Sequence, residues 1–429
     1  MRTHRLVAAT IVAALGVSLA GCSAGDTADG EPVTIQFWAW APGMDVAVEQ
    51  FNSTHPDIQV EYTDAGGGND SSAKLITAVR AGNAPDAALI EYTALPRMII
   101  AGVAEDMTEY VGDVQDAFTE GTWQQTTFDG KVYGVPQDVG PMAFVYRDDI
   151  FSKYGLDAPA TWDDFRSAAE TLKVEDPDAT IASLSTDAWG WYAAVAATLG
   201  EDWWSVEDNV WTVNIDGEGS QRVLSFFNDM YNDGLIAADP ILNPSYNSKL
   251  NDGTMLSWPS AAWAPGVIYG VAPDTAGNWE LSPFPVWDEG DTETSYQGGS
   301  GVSLISGSEH PEQTAEFIKW LNASDEGVDL LLNESNLYPA AISGQESAIS
   351  QDPPKLMPQQ TDYYQVVADI SKNTRAVTWG PNTDVAQSAF TDAMNAAVQN
   401  GTPWVDVLTA TQKAVYEDMK KQGFEVREG

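Results

Sequence analysis

The chain has 429 residues, in which 63 Asp and Glu face 20 Lys and Arg for a formal charge of −43, with 3 His and 1 Cys. A composition that is 43% hydrophobic and 10% aromatic over this length supports two or three cored domains and excludes a disordered acidic tail. So acidic a chain repels phosphate backbones, which demand a basic footprint for counterion release, and nucleic acid is excluded as the main partner. One cysteine excludes an intrachain disulfide and a cysteine-based zinc cluster. Neither a cofactor nor a metal is expected.

At the N-terminus, Arg2, His4 and Arg5 precede an uncharged apolar stretch over 6–20. The stretch is shorter than the about 20 residues that span a bilayer and ends in small residues, so 1–21 reads as a cleavable signal peptide. The junction Leu19-Ala20-Gly21-Cys22 resembles a bacterial lipobox, which implies diacylglyceryl modification of Cys22 and anchoring through acyl chains. Residues 22–32 are small and polar, a flexible linker between anchor and body.

From Val33 the pattern changes. A β-rich run over 33–38 is followed by helical spacing over 44–52, a strand over 58–63, a glycine loop at Gly66-Gly67-Gly68, a helix over 71–81 and a strand over 87–91. Strands alternating with helices predict a largely parallel sheet, whose ligands lie beyond the carboxyl ends of the strands. A second unit begins after Tyr146. Thr161 is placed to cap a helix running to about Val174, residues 179–184 read as a strand, and 221–233 form an amphipathic helix. A further strand is read over 254–257. Near the C-terminus Val385, Ala386, Ala389, Phe390, Ala393, Met394 and Ala397 make one apolar stripe, and Trp404, Leu408, Val415 and Met419 another.

Several stretches carry a family resemblance: Phe37-Trp38 with 51–60, Gly82-Asn83-Ala84-Pro85-Asp86, the run 130–136, the run 146–151, Pro159-Ala160-Thr161-Trp162 with the acids that follow, and 312–321. In their order and spacing the chain resembles the extracellular solute-binding proteins of carbohydrate ABC transporters, the group that includes maltodextrin-binding protein. The resemblance implies an α/β fold of type II: two lobes, each a mainly parallel sheet flanked by helices, joined by a hinge of several segments. By analogy one lobe takes 33–146 plus 300–342 and the other 147–299 plus 343–429. It also implies a monomer that delivers a sugar or oligosaccharide to ABC permease subunits, held by its lipid anchor at the cell surface or the periplasmic face of the cytoplasmic membrane. Individually, the same motifs read as breakers and caps.

A neutral sugar offers flat C–H faces and a rim of hydroxyls, so its binding surface combines aromatic plates with carboxylates and amides. The chain has 16 Trp, more than cores alone would bury without many partners for indole N–H groups. Trp40 ends the first strand. Trp189 and Trp191 open an apolar helix after a strand, while Trp258 and Trp263 follow the strand over 254–257. The last two places, with Trp379 before Gly380-Pro381, match loops that carry sugar-stacking aromatics in maltodextrin-binding protein. Asp64, Glu91, Tyr92 and Asp138 are the polar candidates, and core packing or a solvated carboxylate is the alternative at each position. Gly298-Gly299-Ser300-Gly301 reads as either a close approach to ligand or a flexible crossing.

Two other classes compete. A glycosidase needs only two carboxylates, so residue chemistry leaves it open, whereas the histidines left after signal cleavage, His55 and His310, show no triad pattern. A metal protein is disfavoured because Asp288-Glu289-Gly290-Asp291-Thr292-Glu293 lacks the spacing of a calcium loop. The same scaffold with a non-sugar solute is the third reading. No Walker motif is present, so ATP hydrolysis belongs to another chain.

Overall fold

The computed structural model describes residues 32–66, 68–335 and 337–429. The expected signal peptide, Cys22, the linker up to Glu31, and Gly67 lie outside these residues. Alternation builds the first strand, Val33–Ala39: Ile35, Phe37 and Ala39 enter the main core, while Trp38 packs on the opposite face beside Leu75, Ile76, Ile90 and Met98. This strand pairs in parallel with Ile58–Asp64 on one side and Ala87–Glu91 on the other. The helices Met44–Thr54 and Gly68–Ala81 lie between these strands in sequence, as parallel pairing requires.

A second parallel trio is centred on Thr180–Leu184, with Ala237–Ala238 and Met255–Ala261 as neighbours. The helix before it, Trp162–Glu175, starts as its sequence predicts. The Thr161 hydroxyl accepts from the Asp164 N–H, and the Asp164 carboxylate accepts from the Thr161 N–H, a reciprocal cap. The C-terminal stripes become the helices Thr383–Asn400 and Val405–Gln422, which pack on each other with Phe390, Met394, Leu408 and Val415 buried.

Two long strands join the trios and run antiparallel to their main neighbours. In Val135–Arg147, Val135, Pro136 and Asp138 pair with Val302, Gly301 and Ser300, whereas Met142 to Tyr146 pair with Ala261 to Ser257. In Thr294–Leu304, Ser300 to Leu304 pair with Ala87–Glu91, while Thr294 and Ser295 pair with Thr374–Arg375. A third connection is made by 337–341, where Val139 N–H donates to the Tyr338 carbonyl at 3.1 Å and Ala340 N–H to the Gln137 carbonyl at 3.0 Å. The result is a two-lobed α/β molecule with a hinge of three segments.

Two strand expectations need correction. The strand read over 254–257 extends through Met255–Ala261, so Trp258 and Pro259 lie within it and all seven residues are buried. Gly298 to Gly301 belong to the crossing strand Thr294–Leu304, whose register shifts between Tyr296 and Gly299. Of the two readings of this stretch, close approach to ligand or flexible crossing, the second is replaced by a bulged strand. Its hydrogen bonds to both neighbours hold it in place.

Candidate functional site

Strand register locates the cleft. At the carboxyl end of Ala87–Glu91, Glu91 lies opposite Ser300, which on its other side faces Asp138. In the second trio Ala261, at the carboxyl end of its strand, lies opposite Met142, where the crossing strand begins to pair in that lobe. Both sets of parallel strands thus direct their carboxyl ends toward the same crossing. Open α/β sheets bind ligands in this position.

On the first lobe Trp40 follows Val33–Ala39 and is half-buried against the main core. Asp64, exposed, ends the neighbouring strand opposite Ala39, and its Oδ1 accepts from the Gly66 N–H at 2.9 Å. Glu91 is half-buried. Tyr92 is 1% exposed, and its hydroxyl donates to the Asp138 carbonyl oxygen at 3.0 Å, so its ring is committed to packing. The Asp138 carboxylate accepts from the Ser300 hydroxyl across the two crossing strands. Burial pushes this carboxyl up to about 6; the Ser300 hydrogen bond opposes the rise and the Glu91 carboxylate adds to it.

The floor between the lobes depends on two glycines. Gly299 has φ of +100°, and a Cβ there would fall 2.7 Å from Cε2 of Tyr92 and 2.8 Å from the Asp138 carbonyl oxygen. A Cβ on Gly140 would fall 2.2 Å from the Gln297 carbonyl oxygen. Only bare backbone fits at these two points. Asp138 and Trp263 line a cavity of about 60 Å³ with Leu337, Tyr338, Pro354 and Tyr364. That volume has room for a few waters at most, between the hinge segments and the second lobe. A larger cavity of about 580 Å³ lies apart, between 158–161, 282–294 and the helix Tyr363–Ser371, and contains none of the expected residues.

The second lobe supplies the indoles. Trp189 begins the helix that follows Thr180–Leu184 and packs edge-on against Trp379 at 5.4 Å, with Trp203 and Trp204 behind it at 6.2 and 6.1 Å. Trp263 is half-buried; its Nε1–H donates to the Gln297 carbonyl at 2.8 Å, and its ring meets Trp258 edge-on at 5.6 Å. Trp191, Trp258 and Trp379 are buried to a similar depth, the first against Tyr192 and Phe227, the second against Tyr246 and the third against Trp189, itself buried, so that Trp263 is the one half-buried ring of these five. The structure therefore gathers the expected residues into Glu91, Tyr92 and Asp138 around Ser300, the pair Trp189 and Trp379, and the pair Trp258 and Trp263. Trp40 and Asp64 stand beside each other at adjacent strand ends.

The expectation that burying so many indoles demands many partners for their N–H groups needs correction. Trp203 and Trp279 do find hydroxyl acceptors, in Ser220 and Thr275. The buried Nε1 atoms of Trp162, Trp191, Trp204 and Trp287 have no hydrogen-bond partner. Trp162 shows why this is tolerated: its ring lies edge-to-face against Phe165, Phe227 and Phe284 at 5.0 to 5.3 Å, a packing that suits the ring quadrupoles. Two residues of the cleft were not anticipated. Gln297 occupies the bulge between the lobes, and Asp187 follows the strand Thr180–Leu184, its Oδ1 taking the Ser185 hydroxyl and the Ile241 N–H. The position of Asp187 after a strand was a usable signal, whereas nothing local marks Gln297.

The model of the family described as bacterial extracellular solute-binding protein matches residues 40–328, more than half of the chain. The chain belongs to this family. The solute-binding protein is 27% identical over 322 residues to an arabinooligosaccharide-binding protein of Halalkalibacterium halodurans, covering 72% of this chain and 71% of that one. It is 26% identical over 433 residues to a lactose-binding protein of Rhizobium radiobacter, covering 96% and 98%. Among solved structures, the galacto-N-biose-/lacto-N-biose I-binding protein of a Bifidobacterium longum ABC transporter, in complex with lacto-N-biose, superposes with a TM-score of 0.82 at 26% identity, covering 94% of this chain and 100% of that one. All three are binding proteins by name. No helix among the described residues is long and apolar enough to cross a membrane.

Proposed function

We propose that this solute-binding protein captures an uncharged sugar or oligosaccharide between its lobes and delivers it, chemically unchanged, to the permease subunits of an ABC importer. The observation that carries the reading is the convergence of both sets of strand ends on one crossing, with carboxylates on one side and indoles on the other. Relatives named for arabinooligosaccharides, lactose and lacto-N-biose support it. In this reading the half-buried Trp40 and Trp263 offer ring faces or edges to the sugar, and Asp64, Glu91 and Asp138 accept from its hydroxyls. Tyr92, Trp189, Trp191, Trp258 and Trp379, all buried, hold those groups in place. Lobe one takes about 33–146 and 300–342, lobe two the remainder of the body; strand register supports a changeover near 141–142 and 296–300. Lipidation of Cys22 would keep the protein on the outer face of the membrane.

A thermal-shift screen of neutral glycans, including lactose and arabinooligosaccharides, tests the proposal. A bound glycan raises stability as RT ln(1 + [L]/Kd), about 2.7 kcal/mol at one hundred times Kd. Absence of any stabilising glycan, or release of reducing ends during incubation, overturns it.

A further inference from the structure

Just past Tyr92, whose N–H and hydroxyl bond the two crossing strands, the lobes touch again. The helix Leu95–Ile100 belongs to the first lobe, with Leu95 and Met98 in the small cluster beneath Ala88 and Ile90. The helix Thr383–Asn400 belongs to the second, packed on Val405–Gln422 and Trp189–Ala197. Arg97 Nη1 meets Asp384 Oδ2 at 3.3 Å, and the Thr383 hydroxyl donates to the Thr93 carbonyl at 3.1 Å. Thr93 lies two residues beyond Glu91, and Thr383 four beyond Trp379, so the contacts border the ligand-facing segments of both lobes. Thr383 is 7% exposed.

We infer that Arg97, Asp384 and Thr383 are positioning residues for capture: a latch that holds the closed arrangement without touching the ligand. The contacts are made entirely by the protein and tie one lobe to the other in this arrangement. A ligand shifts an open–closed equilibrium only by its differential affinity for the two states, so a latch that favours closure lowers the work left to the ligand. The partners of the ion pair are 31% and 42% exposed, which makes the pair weak and reversible. That suits a protein that must release what it binds.

The test uses spin labels at one exposed position on each lobe, Val46→Cys and Val206→Cys, in a Cys22→Ser background, without added glycan. The interlobe distance distribution of the otherwise wild-type protein should include the closed separation. Arg97→Gln, Asp384→Asn and Thr383→Ala should each lower the closed-to-open ratio about two- to five-fold, the range for a partly exposed polar contact. Thr383→Ser and the reversed pair Arg97→Asp with Asp384→Arg should restore it. Salt at 0.5 M should open the wild type and leave Asp384→Asn unchanged. Distributions unaffected by neutralisation, or a reversed pair that fails to recover the closed population, would refute the latch. Because no sugar enters the measurement, the outcome is independent of whether the proposed ligand class is correct.

Discussion

The two lips of the cleft are built from different chemistry. The first lobe has Asp64 and Glu91 at strand ends and Asp138 within the crossing strand, with Trp40 beside Asp64, whereas the second has Trp263 half-buried over Trp258, and Trp189 and Trp379 buried in a bed of aromatic rings. Under the proposed function the carboxylates of the first lip take the hydroxyl rim and the indoles of both lips take the C–H faces, so the ligand touches both lobes and favours the arrangement that keeps both within its reach.

The largest expected effect tests the aromatic bed. Trp162 is 1% exposed and ringed by Phe165, Phe227, Phe284 and Trp287, so Trp162→Ala should cost about 3–5 kcal/mol of stability in chemical denaturation. A loss under about 1 kcal/mol would mean that the second lip does not rest on this cluster. Next comes the floor shared by both lips. Gly140→Ala places a methyl group against the Gln297 carbonyl, and the forced backbone shift should cost about 1–3 kcal/mol.

The carboxylate lip has a pH signature. The Asp138 carboxyl titrates near 6 in the folded protein and near 3.9 when unfolded, so the folded state takes up its proton first as pH falls. The contribution of this group to stability is fully present below about pH 4 and is lost as pH rises through 6. Asp138→Asn should remove that dependence, raising stability relative to wild type at pH 7 by on the order of 1 kcal/mol and leaving it little changed near pH 4. Denaturation at both pH values, compared between the two proteins, isolates this group from the other acids. The smallest effect is read in binding. Trp263→Ala should weaken the glycan found by screening by more than about 1 kcal/mol, read by titration calorimetry; unchanged affinity would remove this ring from the contact surface.

Much of the scaffold was legible because its signals are local. The alternation in Val33–Ala39, the Thr161 cap and the stripe through Phe390 and Met394 each depend on neighbours a few residues away, and each element formed where the pattern placed it. The strand containing Trp258 was read too short, as ending at Ser257. It forms because Pro259, lacking an N–H, still lies within the register opposite Phe144. Of the candidate site, the strand-end positions were legible, since parallel sheets expose those ends by construction.

Chain order, hydrophobic period and capping chemistry determined that this protein would have two α/β units with aromatic and acidic residues clustered at strand ends. Tertiary structure decided which rings remain at the cleft and which are sunk, because burial of an indole depends on partners such as Phe227 and Phe284 that no local pattern assigns to it. It also decided that Asp138 would meet Ser300 and that Arg97 would meet Asp384. Those pairs are far apart in the chain, and only the return of the crossing strands brings them within hydrogen-bonding or ion-pairing distance.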